Sequence, residues 1–186
     1  MNKILIFLLL IVTTLSLSAY KYASTNNTPT KENTSKVALK PFDIKFNIES
    51  LKANEYNLAA TVKLNKGDYI ISPFSTDGFY LNFSMKLDNS THFLIDGELT
   101  ESPKSIPEVD PIINKPVRFV RANTIFKQKL KVEKQGNFEV SGLVEFLLEP
   151  SCVPYDVAFV LASKAGKMTV KDVKITISEE YKGVRN

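Results

Sequence analysis

From residue 42 onward the apolar residues of this chain recur at every second position, and that period limits what the chain can fold into. Phe42, Ile44, Phe46 and Ile48 alternate with Asp43, Lys45 and Asn47, and Tyr56, Leu58, Ala60, Val62 and Leu64 repeat the pattern. Side chains in a strand point alternately to opposite faces, so a two-residue period marks a strand with one face on a core. The pattern returns at Phe79, Leu81, Phe83, Met85 and Leu87, at Phe93 and Ile95, and at Thr124, Phe126, Gln128, Leu130 and Val132. It returns again at Val140, Gly142, Val144, Phe146 and Leu148, and at Val173, Ile175 and Ile177. Turn-forming groups separate the runs: Lys66-Gly67-Asp68, Asp88-Asn89-Ser90, Gly97 and Gln135-Gly136-Asn137. Short alternating runs divided by turns predict an all-β antiparallel β-sandwich. The run Val157, Val160, Leu161, Lys164 fits a short helix or a strand; the β-branched valines flanking Phe159 favour the strand.

The chain has 186 residues, which suits one domain, and its 44% hydrophobic content supplies a packed core. Lys40 to Ser178 is read as that domain and residues 179–186 as a tail. At the start, Met1-Asn2-Lys3, the apolar run Ile4 to Val12 and the small or hydroxylated run Thr13 to Ala19 have the order of a secretory signal peptide, residues 1–19. A spanning anchor needs roughly 20 apolar residues, and this run dilutes into Thr and Ser after nine. Residues 20–39 hold the polar stretch Ser24 to Lys36, too poor in large apolar residues to order itself, and are read as a flexible linker. The expected location is therefore outside the cytoplasm, with no membrane segment left after cleavage of the leader.

A formal charge of +4 is too small a bias to indicate nucleic acid. One Cys and one His exclude an internal disulfide and a Cys/His zinc cluster, and no cofactor or metal is expected. Hydrolase and phosphate-binding motifs are absent. Asp43, Glu49, Asp68 and Asp77 are spread among expected turns and outer faces, with no acid–base spacing. His92, at the start of a strand, reads as a surface turn residue. Lys127, Lys129 and Lys131 share one strand face; with Arg118, Arg121 and Lys134 they make either a basic patch or, more simply, a solvated outer face. The longest gap between expected strands is Ser102 to Pro116, with prolines at 103, 107, 111 and 116. A loop of that length and composition is either a site or a surface bridge between sheets.

Four segments, in order, resemble the N-terminal periplasmic domain of the thiol:disulfide interchange protein DsbD family. They are EYNLAATVKLNKGDYIIS (Glu55 to Ser72), FLIDGELTESPKS (Phe93 to Ser105), DPIINKPVRFVRANTIFKQKLKV (Asp110 to Val132) and VEFLLEPSCVPYDVAF (Val144 to Phe159). The resemblance runs from Lys45 to Leu161 and implies an immunoglobulin-like sandwich in the periplasm or envelope of a bacterium. It also implies passage of reducing equivalents from a membrane or thioredoxin-like reductase to oxidised proteins, as in thiol–disulfide exchange and cytochrome c maturation. The family uses two cysteines. Cys152 matches the second, while the place of the first falls within Leu147 to Glu149, in a loop about two residues shorter. Pro154 keeps one family proline and Tyr155 replaces the next. Where the family shields its cysteines with an aromatic loop residue, Asp110-Pro111 is followed here by Ile112 and Ile113.

Dithiol exchange needs an attacking thiolate and a resolving thiol, so a chain with one cysteine cannot complete it unaided. Three roles for Cys152 follow: a buried inert residue, a single thiol resolved by a partner's, or an intermolecular bridge. Its charged neighbours in sequence, Glu149 and Asp156, oppose the thiolate. The reading is a degenerate, single-cysteine protein-binding module, with Cys152, Pro154, Tyr155 and the 110–113 loop as its recognition surface. Its rivals are a monothiol partner in disulfide reduction and a structural envelope module without a redox role.

Overall fold

A computed structural model of the chain describes residues 40–179. The expected signal peptide and linker, and the tail beyond Glu179, lie outside the described residues.

The fold class is all-β, as the alternation predicts. Among the described residues, twelve strands form two sheets in which every pairing is antiparallel. The first sheet holds β1 (Phe42–Lys52), β2 (Glu55–Leu64), β9 (Thr124–Val132) and β5 (Phe93–Ile95) in that order, with β6 (Thr100–Ser102) also on β9. The second runs β12 (Lys167–Ile177), β11 (Val153–Lys164), β10 (Phe138–Glu149), β3 (Tyr69–Ile71), β8 (Lys115–Val120), β7 (Pro107–Asp110), with β4 (Ser84–Leu87) also on β10.

The inward residues of both sheets meet in one core. Phe126 of β9 stacks on Phe83 with ring centroids 3.7 Å apart, and Phe42 of β1 packs edge-on against Phe146 of β10 at 4.8 Å. Leu58, Leu130, Val144, Phe159 and Leu161 fill the space around them. Opposite Phe159 in the β10–β11 pair stands Gly142. The Phe159 ring lies where a Cβ at 142 would project, so the missing side chain is what lets the ring in. A smaller cluster of Ile71, Val117 and Phe119, flanked by Tyr69, Tyr80 and Ile113, packs beside β3 and β8.

Residues 157–164 fall within β11, a strand, because both of its edges are paired, with β10 and with β12. Two expectations need correction. The alternation from Phe79 to Leu87 yields a strand only at Ser84–Leu87; Phe79 and Leu81 lie in an exposed loop. The cause is Asp77, whose Oδ1 accepts the backbone N–H groups of Phe79 and Tyr80 at 2.8 and 3.0 Å and turns the chain. Asp77 stands in this turn, as expected, and is buried there. The gap from Ser102 to Pro116 also contains structure, since β7 and β8 form a hairpin across it. Pro107 opens the edge strand β7, a position that needs no ladder N–H.

Candidate functional site

Cys152 lies in the turn joining β10 to β11, and its side chain is exposed, which removes the buried reading. Ser151 Oγ donates to the Leu148 carbonyl at 3.0 Å, closing the turn. Cys152 itself has a left-handed backbone, φ 52°, an uncommon conformation for a residue with a Cβ. Its N–H donates to Oε2 of Glu149 at 3.2 Å, and Sγ lies 3.1 Å from the same oxygen. Glu149 is only 5% exposed, while Cys152 itself is exposed. A thiolate formed there would face the carboxylate across 3.1 Å on a solvent-exposed turn.

Around the sulfur is an open groove of about 650 Å³. One wall is Leu147, Glu149 and Pro154 of the β10–β11 hairpin, and the other is the loop residues Phe79, Tyr80 and Leu81, with Ser178 at the end. The wall is mainly apolar, and Phe79 is 65% exposed although it packs edge-on against Tyr80 at 4.9 Å. Exposure of a large aromatic ring next to an apolar groove is a mark of a binding surface.

Hydrogen bonds to buried carboxylates hold the loop in place. Burial alone would raise the Asp77 carboxyl, but the bonds from Ser75 Oγ and from the N–H groups of Phe79 and Tyr80 outweigh it and hold the group below its ordinary range. Tyr80 Oη donates to Asp110 Oδ2 at 3.0 Å. Burial first, then that bond, push the Tyr80 hydroxyl up to about 12. Asp110 likewise overcomes the upward push of burial, because its Oδ1 accepts from the N–H groups of Ile113 and Ile112. Tyr69 is held above its usual range by burial and then by the charge of Glu149. The charged groups next to these phenols are the carboxylates Glu149 and Asp110, with the Arg121 guanidinium on the far side over Tyr69.

The sequence-predicted residues divide. Cys152 and Pro154 line the groove, and Tyr155 packs inward against Phe42 at 4.9 Å. Asp110 is buried and reaches the groove through Tyr80. Pro111 and Ile112 stand in the exposed turn after β7, Ile112 at 80% exposure, and Ile113 packs on the small cluster. None of these three lines the groove. The aromatic side chains beside the cysteine are those of Phe79 and Tyr80, a stretch whose alternation predicts a strand. The Asp77-Gly78 pair, a turn signal before two aromatics, was the available clue.

The remaining candidates have other roles. Lys127 pairs with Glu49 at 2.8 Å, and Lys129 with Glu55 and Asp96 at 2.9 and 2.8 Å, so this face of β9 carries matched charge. Arg121 lies over the Tyr69 and Phe119 rings and pairs with Glu108, while Arg118 donates to the Ser105 carbonyl. His92 stacks on Phe138, with Nδ1 3.3 Å from the Lys134 carbonyl oxygen. Among the described residues, no three His, Cys, Asp or Glu are grouped to hold a metal ion, and no helix is long and apolar enough to cross a membrane.

No family model matches the chain, and no curated protein matches it in sequence. Among solved structures it is similar to the DsbD N-terminal domain of Neisseria meningitidis in its reduced form. The identity is 10% and the TM-score 0.41, over 71% of this chain and 91% of that one.

Proposed function

We propose that this chain is an exported, envelope-facing module that binds a protein partner through the groove between Phe79–Leu81 and the Cys152 turn, as a single-cysteine relative of the DsbD N-terminal domain. The observation that carries the reading is an exposed apolar loop, fixed by buried carboxylates, facing an exposed cysteine across a groove of about 650 Å³. A groove of this kind suits an inserted apolar side chain, with surrounding contacts excluding water. The acidic groups beneath it, Glu149 and Asp110, favour a neutral or basic partner segment over an acidic one.

Exposure of the sulfur favours one further reading, that the contact becomes covalent. The Cys152 thiolate would attack one sulfur of a partner disulfide, form a mixed disulfide and release the partner's other sulfur as a thiolate; the Cys152 proton passes to solvent. A thiol of another protein would then attack the mixed disulfide, taking over the bond and freeing Cys152. With one cysteine in the chain, that second thiol cannot be its own.

Affinity capture from a bacterial envelope extract with the unmodified chain, Phe79→Asp and Cys152→Ser tests both. Non-covalent recognition predicts that Phe79→Asp loses the partner and Cys152→Ser keeps it. A covalent step predicts an adduct that reductant dissolves and that Cys152→Ser abolishes. Equal capture by all three chains contradicts the groove as the binding surface.

A further inference from the structure

Among the described residues, strand β12 ends the seven-stranded sheet and pairs with β11 alone. In the facing sheet the last strand is β1, and it covers β11, with Phe42 against Tyr155 and Phe46 against Phe159 at 4.9 and 4.5 Å. β1 also approaches β12, without fully covering its second half. Val173, Ile175 and Ile177 lie on its core-side face, Ile175 opposite the fully buried Val157, yet they are 46%, 43% and 44% exposed. Edges of this kind are usually blunted by proline, a bulge or charge. Here the register shift and the left-handed Asp172, φ 53°, protect only the first half, and residues 173–177 contain no proline and one charge, Lys174.

The second half of β12 is complementary to itself. Paired antiparallel with a copy about Ile175, it sets Ile175 against Ile175, Val173 against Ile177 and Lys174 against Thr176. Every apolar residue of the row then meets an apolar residue. The register about Lys174 instead sets Lys174 on itself. Lys171 is paired within the chain, with Glu139 of β10 at 2.6 Å and Asp172 at 3.9 Å.

We propose that two copies of this chain join edge to edge through β12, about a twofold axis at Ile175, making one continuous sheet. The contact is isologous, so it closes as a dimer and does not propagate. It does not involve Cys152.

Cysteine cross-linking with sedimentation tests this on the purified full chain carrying Cys152→Ser. Residues facing each other across an antiparallel pair have Cα atoms about 4.5–5.5 Å apart, within disulfide reach, whereas equivalent residues two positions off the axis are much farther apart. Under mild oxidation Ile175→Cys is expected to give a covalent dimer, and Val173→Cys is expected to stay monomeric on denaturing gels. Sedimentation should show a concentration-dependent dimer, and Ile175→Lys, which sets like charges on the axis, should raise its dissociation constant at least about tenfold with the circular dichroism unchanged. A chain that is monomeric at high micromolar concentration overturns the proposal. So does cross-linking as fast at Val173→Cys as at Ile175→Cys, or a dimer that Ile175→Lys leaves intact.

Discussion

Glu149 holds Cys152 by two atoms at once, accepting its backbone N–H at 3.2 Å and meeting its sulfur at 3.1 Å with the same carboxylate oxygen. One side chain thus fixes the turn and opposes the reactive form of the thiol. Replacing Glu149 with Gln keeps the size and an acceptor for the N–H while removing the negative charge. The expected result is faster alkylation of Cys152 at neutral pH. Iodoacetamide kinetics measure it. An unchanged rate would show that the carboxylate does not control the sulfur.

Asp77 is the anchor of the Phe79–Leu81 loop. Removing it as Asp77→Ala leaves the N–H groups of Phe79 and Tyr80 and the Ser75 hydroxyl without their acceptor. The expected loss of stability is about 1–3 kcal/mol in denaturant titration. The acid limb follows the same group. Its folded-state titration lies below the ordinary Asp value, so its contribution is present above that value and is lost as pH falls through the lower, folded one. Asp77→Ala should therefore narrow the stability difference from the unmodified chain at low pH.

Gly142 tests the sandwich itself. Any Cβ there runs into the Phe159 ring, which is 1% exposed and packed against Phe46. Gly142→Ala is expected to cost about 1–3 kcal/mol through overpacking, measured by thermal or chemical unfolding. At Gly97, whose Cβ direction is open, the same substitution meets only its left-handed backbone, φ 81°.

Alternation made the sheets legible wherever a strand is long and covered on one face. The β9 series Phe126, Gln128, Leu130, Val132 and the β10 series Val140 to Leu148 are buried at every second residue. It misled at Phe79 and Leu81, because period two records spacing and not whether a backbone is extended; the buried Asp77 carboxylate decided that, held by neighbouring Ser75, whose hydroxyl accepts the backbone N–H of distant Arg118. Strand β7 was hidden in a proline-bearing segment, since an edge strand tolerates proline, and β6 and β8 are too short to show a clear alternation. Within the site, Cys152, Pro154 and the opposition of Glu149 were readable from local sequence. The facing wall was not, as it comes from a segment some seventy residues earlier that the fold brings across.

Phe79 separates recognition from folding. Its ring is mostly in solvent, so Phe79→Ala should change stability by no more than about 0.5 kcal/mol. Partner capture should fall sharply if the ring is an anchor. Unfolding curves and capture assays on the same preparation measure the two effects together. A large stability loss with capture intact would make Phe79 a structural residue.

The alkylation rate of Cys152 in the native chain, compared with that in denaturant, tests the account most directly. A sulfur displayed at the floor of an open groove is modified without unfolding, and more slowly once a partner occupies the groove. Modification that occurs only after denaturation would contradict the exposed site and the function built on it.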